Sequence, residues 1–124
     1  MILAIAFALY DNHTHTVIPI FLCLYRYLKS EPLPDNTGKD VLEVVSANME
    51  EVVYSSGRDI FVLFYKPACS HCRDFMPVWD SLGAALRAEQ VDVARMNLQD
   101  NEIPPEFSEE MFVKDYPTMY FKVK

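Results

Sequence analysis

The chain has 124 residues, a length that suits one domain with a hydrophobic core. Apolar residues make up 51% and aromatic residues 13% of the sequence, which excludes a disordered chain. The net charge of −7 argues against nucleic acid as a partner, and three cysteines are too few for a fold held together by disulfides.

Residues 1–28 differ in character from the rest and receive no functional assignment. Their two apolar runs, 2–10 and 17–25, are shorter than the roughly 18–20 residues that cross a bilayer, so we predict no membrane span. The first run also lacks the basic residues that begin a signal peptide. If the segment folds onto the domain, we expect residues 2–10 to add an edge strand and residues 17–28 to form a covering helix.

Residues 29–40 contain two prolines and an Asn-Thr-Gly turn signal, and they predict a linker. From residue 41 to residue 124, apolar runs alternate with stretches of helical periodicity. We predict strands at 41–45, 60–65, 91–97 and 118–123, and helices at 46–55, 70–89 and 105–112. This β-α-β-α-β-α-β order is typical of an α/β layer fold.

Details of the predicted helices can be stated from the sequence. Ser46 or Asn48 is expected to cap the first helix, and Pro105 to stand at the first position of the last one. The middle helix is expected to turn a stripe of five residues toward the core: Phe75, Val78, Trp79, Leu82 and Leu86.

The most informative motif is Cys69-Ser70-His71-Cys72, which follows a strand and opens a helix. A cysteine at the start of a helix faces unpaired backbone N–H groups, which stabilise a thiolate. Cys72 lies one turn further, close enough to form a disulfide with Cys69. His71 between them can carry positive charge and favour the thiolate further. The motif therefore predicts a thiol–disulfide exchange site.

A zinc site is the main alternative reading of two cysteines at this spacing. Structural zinc requires four ligands, and the further candidates, Cys23, His13 and His15, all lie in the unassigned segment. The strand before the motif and the helix after it favour the redox reading, so we expect no metal and no cofactor.

Three stretches of the chain are similar to the protein disulfide isomerase family. Residues 64–73 resemble its active-site block, which usually reads Phe-Tyr-Ala-Pro-Trp-Cys-Gly-His-Cys-Lys, and residues 115–118 resemble its cis-proline loop. Residues 27–34 resemble the lead-in to the C-terminal catalytic domain of the A3-type isomerases. The resemblance covers residues 26–124, and it implies a thioredoxin-like fold with a central mixed sheet and flanking helices.

The resemblance also implies roles. Cys69 would be the nucleophile and Cys72 the resolving thiol, with His71 supporting the Cys69 thiolate. The loop of Asp115, Tyr116 and Pro117, with Pro117 in the cis form, would bind an extended client. The partners would be cysteine-containing client proteins, and the location would be the lumen of the endoplasmic reticulum. The oligomeric state is not predicted.

Several positions depart from the family pattern. Leu63 stands where the family has a buried glutamate that accepts the proton of the second cysteine, and Arg95 stands where that glutamate has its basic partner. Cys72 is therefore expected to deprotonate less readily, and Arg95 must find another partner or reach solvent. Lys66 replaces an alanine and adds positive charge near Cys69. Ala68 replaces a tryptophan beside the nucleophile.

The family fold continues into a fifth strand and a last helix, so the domain at 41–124 is expected to be incomplete at its C-terminal end. Its fourth strand would then lie at the sheet edge, with one face uncovered. Two alternatives to an isomerase stay open. The chain could be a catalytically weak or inactive truncated binding module, or a thioredoxin-like reductase, although Cys-Gly-Pro-Cys is the motif expected there.

Overall fold

A computed structural model describes residues 9–10, 17–18 and 28–124. Its strands are β1 (Leu9–Tyr10), β2 (Val17–Ile18), β3 (Leu42–Val44), β4 (Asp59–Tyr65), β5 (Val91–Asn97) and β6 (Thr118–Lys122). The long helix α1 spans Ser70–Leu86. Shorter helical segments are a 3₁₀ turn at Ser46–Asn48, a π-helical turn at Glu50–Tyr54 and a 3₁₀ turn at Pro105–Phe107.

The main sheet has the strand order β3-β5-β4-β6. Strands β3, β5 and β4 run parallel, whereas β6 is antiparallel to β4. This is the mixed sheet that the resemblance implies, and the four predicted strands all form within one or two residues of their expected bounds. Ile60, Val62, Leu63 and Phe64 of β4 are fully buried, as predicted for a central strand covered on both faces.

Helix α1 covers one face of the sheet. Trp79 is buried against Leu63 and Val93, and its indole N–H donates to the carbonyl of Ala94 at 3.0 Å. Gly83 sits so close to the residues just before β3 that a Cβ there would meet the Asp40 carbonyl oxygen at 2.8 Å. This close approach fixes which side of the helix faces the sheet.

The predicted core stripe of α1 is wrong at one position and α1 is shorter than expected. Val78 is 58% exposed. The buried positions are Cys72, Trp79 and Gly83, with Met76 partly buried between them. Phe75, Leu82 and Leu86 pack against this core as predicted, so every residue of the predicted stripe except Val78 faces the sheet. The helix ends at Leu86 rather than at residue 89.

The opposite face of the sheet is covered by the helical turns at 46–54 and by the chain at 103–113. The buried residues of this larger core are Val44, Met49, Val53, Ile60, Val62, Phe64, Ala94, Met96 and Met111. The first helix forms where predicted, but neither expected cap is used. The side chain of Asn48 instead accepts a hydrogen bond from the Val45 N–H at 2.7 Å. The helix predicted at 105–112 is confined to Pro105–Phe107.

The residues before β3 include a separate pair of strands and a segment that is bound to the domain. Strands β1 and β2 pair with each other and not with the main sheet, so Leu9–Tyr10 is not the predicted edge strand and Val17–Ile18 is not helical. The remainder of the prediction for residues 1–28 lies outside the described residues. The segment at 29–40 has no regular secondary structure, yet its start is bound to the domain: the Lys29 carbonyl accepts from the Ser46 hydroxyl at 2.6 Å and from the Glu102 N–H at 3.0 Å.

Strand β6 lies at the edge of the four-stranded sheet, as expected. Its residues Met119 and Phe121 are 55% and 50% exposed, and the Phe121 ring contacts that of Phe61 at 4.5 Å between centroids. The described part of the chain contains no helix with the length and apolar character needed to cross a membrane.

Candidate active site

The end of β4 and the start of α1 bring the two cysteines to one place. Cys69 has extended backbone angles and caps α1, and its carbonyl accepts the Arg73 N–H at 3.2 Å. Its side chain is partly exposed, whereas Cys72, one turn into the helix, is fully buried. Both are free thiols. Exposure of the first cysteine and burial of the second suit an attacking and a resolving thiol.

The surroundings of Cys69 favour its thiolate. A hydrogen bond with the Cys72 thiol, followed by one from the Cys72 backbone N–H, lowers the pKa of Cys69. The backbone N–H of His71 and the positive charge of Arg73 lower this pKa further. His71 therefore acts through its main chain here, and the nearby cation is Arg73, which the sequence reading did not single out.

The surroundings of Cys72 have the opposite effect, because they favour its protonated thiol. Burial raises the pKa of the Cys72 thiol, and the hydrogen bond and charge of Cys69 raise it further, against an opposing hydrogen bond from the Lys66 backbone N–H. The two thiols consequently differ at neutral pH: Cys69 is the one that ionises first, and Cys72 keeps its proton.

The loop before β6 lies against the dithiol. The Tyr116–Pro117 peptide bond is cis, as predicted. The Cys69 thiol donates to the Tyr116 carbonyl with 3.9 Å between sulfur and oxygen. The loop is held from within, because the Thr118 hydroxyl donates to the Asp115 carbonyl. Tyr116 and Pro117 are half-buried and Asp115 is exposed, so the loop reaches the surface beside Cys69.

Leu63 and Arg95 are cross-strand neighbours beneath α1. Leu63 is fully buried and pairs in register with Arg95 on β5. Arg95 pairs in turn with Glu43 on β3, and both its Nε and its Nη2 lie 2.6 Å from the Glu43 carboxylate. Its Nη1 also reaches Asp80 on α1 at 3.3 Å. Arg95 has thus found another partner, one of the two outcomes expected in the absence of a glutamate at 63.

Glu43 is the residue of this neighbourhood that sequence reasoning missed. The sequence does contain a signal that could have identified Glu43, because it is the one charged residue within the apolar run 41–45. The carboxylate lies two strands away from the position of Leu63, on the edge strand β3.

Lys66 is the last residue before the turn that leads to Cys69. Its carbonyl accepts the Cys69 N–H at 3.0 Å. Its ammonium lies 4.7 Å from the centroid of the Tyr116 ring, in cation–π contact with the cis-proline loop.

No cluster of three or more histidine, cysteine, aspartate or glutamate side chains suited to a metal occurs among residues 28–124 and the β1–β2 pair. Cys23, His13 and His15, the further ligands of the zinc alternative, lie outside the described residues.

Comparison with known proteins gives matches for the region that carries the dithiol. The family model described as thioredoxin matches residues 40–124. A protein disulfide-isomerase of Hordeum vulgare is 38% identical over 96 residues, which are 77% of this chain and 18% of that protein. Protein disulfide-isomerase A3 of Gallus gallus is 35% identical over 99 residues, which are 79% of this chain and 19% of that protein. The chain thus spans about a fifth of the length of these relatives.

Two solved structures share the fold. The crystal structure of the Trx4 domain of ERdj5 has a TM-score of 0.55 and 21% sequence identity, and the match covers 65% of this chain and 68% of that one. The crystal structure of the J-Trx1 fragment of ERdj5 has a TM-score of 0.56 and 24% identity, covering 68% of this chain and 39% of that one. At these identities the likeness concerns the fold.

Proposed function

This chain belongs to the thioredoxin family, and from that premise we propose that its Cys69–Cys72 pair exchanges and rearranges disulfide bonds in folding proteins. The curated relatives named protein disulfide-isomerase support this activity over simple binding. The observation that carries the proposal is the asymmetry of the two thiols: an accessible Cys69 with a lowered pKa stands one helical turn before a buried Cys72 with a raised pKa.

The reaction begins with the Cys69 thiolate attacking one sulfur of a client disulfide. A new bond forms between Cys69 and that sulfur, and the other client sulfur leaves as a thiolate and takes up a proton. Cys72 then loses its proton and attacks the Cys69 sulfur. The Cys69–Cys72 disulfide forms and the client cysteine departs reduced. The reverse sequence introduces a disulfide into a client.

The backbone of Asp115, Tyr116 and Pro117 supplies the client site in this proposal. An extended client segment that pairs with this edge would bring its sulfur to Cys69, since the Tyr116 carbonyl is already a hydrogen-bond partner of the thiol. By relation to the isomerases, the proposed location is the lumen of the endoplasmic reticulum.

The second step is the slow one in this chain. Cys72 has a raised pKa, and Leu63 offers no carboxylate to accept its proton. The carboxylates of Glu43 and Asp80 are bound to Arg95, so water or a more distant base must remove the proton. Leu63 and Arg95 thus modulate the rate at which the mixed disulfide is resolved.

Two assays run side by side test the proposal: reduction of insulin, and refolding of a substrate with scrambled disulfides. Activity in both supports an isomerase. Reduction without isomerisation would identify a thioredoxin-like reductase, and activity in neither would identify a binding module without exchange.

Alkylation should distinguish the two thiols directly. With limiting iodoacetamide at neutral pH, the reduced protein should be labelled first on Cys69, because its pKa is lowered and it is accessible. The labelling rate of Cys69 should reach its plateau at a lower pH than that of an ordinary thiol. Peptide mapping by mass spectrometry gives the order of labelling, and prior labelling of Cys72 would reverse the assignment of roles.

A further inference from the structure

Lys66 touches the active site at three points. Its carbonyl accepts the Cys69 N–H at 3.0 Å, and its own backbone N–H lowers the pKa of the Cys72 thiol. Its side chain crosses to the other wall of the site, where the ammonium lies 4.7 Å from the centre of the Tyr116 ring. Lys66 therefore joins the segment that precedes the dithiol to the loop that faces it.

The Tyr116 loop also contacts the dithiol directly, through the 3.9 Å hydrogen bond from the Cys69 thiol to the Tyr116 carbonyl. This bond requires the proton of Cys69, and it is lost when Cys69 ionises or enters a mixed disulfide. The contact between Lys66 and the Tyr116 ring does not depend on that proton. It can hold the loop in place in every state of the thiol.

We propose that Lys66 is a positioning residue for client binding, which holds the Tyr116–Pro117 loop beside Cys69 through its cation–π contact with the Tyr116 ring. This inference rests on the proposed function and assigns Lys66 a role different from thiolate stabilisation. The cation that acts on the Cys69 thiolate is Arg73, on the first turn of α1, whereas the ammonium of Lys66 is directed at the aromatic ring.

Removal of the charge tests the role. Lys66→Met keeps most of the aliphatic side chain and loses the ammonium. For exchange with a disulfide-bonded peptide, we expect KM to rise about two- to five-fold, the range of a partly exposed cation–π contact, with little change in kcat. The pH profile of Cys69 alkylation should not move. Lys66→Arg should restore the KM, because a guanidinium also binds an aromatic face.

The double variant shows whether the two side chains act together. Tyr116→Leu should raise KM by a similar factor, and Lys66→Met combined with Tyr116→Leu should be no worse than either single change. The matched control is Lys122→Met, since Lys122 makes the same kind of contact with Tyr54, 5.0 Å from its ring centroid and away from the dithiol. Lys122→Met should leave KM unchanged.

A shift of the alkylation profile in Lys66→Met with an unchanged KM would overturn the proposal and assign Lys66 to thiolate stabilisation. Additive effects of the two substitutions would also overturn it. A wild-type protein without exchange would defeat the proposed function but leave the contact testable by NMR. The Lys66 Cε protons should then show a ring-current shift that disappears in Tyr116→Leu, and no such shift would refute the contact itself.

Discussion

Replacing Cys69 with serine should reduce both insulin reduction and disulfide rearrangement to the uncatalysed rate. A serine hydroxyl is not ionised at neutral pH and forms no disulfide, so the first bond of the exchange cannot form. The loss is expected to be complete because Cys72, the other thiol among the described residues, is fully buried and keeps its proton. The measurement is the steady-state rate in each assay.

Cys23→Ser provides the matched control, since it removes the third cysteine of the chain by the same change of atom. This variant should retain both activities. Exchange that survives in Cys69→Ser but is lost in Cys23→Ser would move the active thiol to the N-terminal segment and contradict the site.

Replacing Leu63 with glutamate should speed resolution of the mixed disulfide by about a hundred-fold, the lower end of what a positioned general base contributes. The new carboxylate would lie opposite Arg95 in the register of β4 and β5, beneath the helix that carries Cys72. In the wild type, resolution should rise with pH because the Cys72 pKa is raised. Leu63→Glu should flatten that dependence.

The same substitution should lower the free energy of unfolding by about 2–4 kcal/mol, because Leu63 is fully buried and a charge there loses its hydration. Leu63→Gln is the matched control, because the introduced glutamine has the shape of the introduced glutamate and a similar packing cost. Its amide cannot accept the proton of Cys72. The decay of a trapped mixed disulfide measures the rate. Equal rates in Leu63→Gln and Leu63→Glu would show that water or another base already serves Cys72.

Much of the fold could be predicted from the sequence because its strands are continuous apolar runs. The run at 60–65 is buried on both faces, with Ile60, Val62 and Phe64 in one core and Leu63 in the other. The cis-proline loop was also predictable from its resemblance to the isomerases, and the order of the two thiols from the position of the motif at the start of a helix. The local geometry of such motifs is set by residues that are close together in the sequence.

The errors fall where contacts between distant segments decide the structure. The orientation of α1 depends on the close approach of Gly83 to Asp40, which leaves Val78 outside the core. Past Phe107 the chain continues as turns rather than as the predicted helix, and Met111 is the residue of that stretch that is fully buried.

The partner of Arg95 required knowledge of strand register. Glu43 and Arg95 are 52 residues apart, and they meet because β3 and β5 are parallel neighbours. The position of Lys66 over Tyr116 depends likewise on the loop that precedes β6. From its closeness in sequence alone, the charge of Lys66 would be expected to act on the Cys69 thiolate.

Mass spectrometry of a trapped intermediate tests the central claim most directly. Cys72→Ser retains the attacking thiol and lacks the resolving one, so its reaction with a disulfide-bonded peptide should stop at a mixed disulfide. The peptide should be found on Cys69 in stoichiometric amount, whereas the wild-type protein should release it and carry a Cys69–Cys72 disulfide. A variant that forms no adduct, or carries the peptide on a cysteine other than Cys69, would contradict the account.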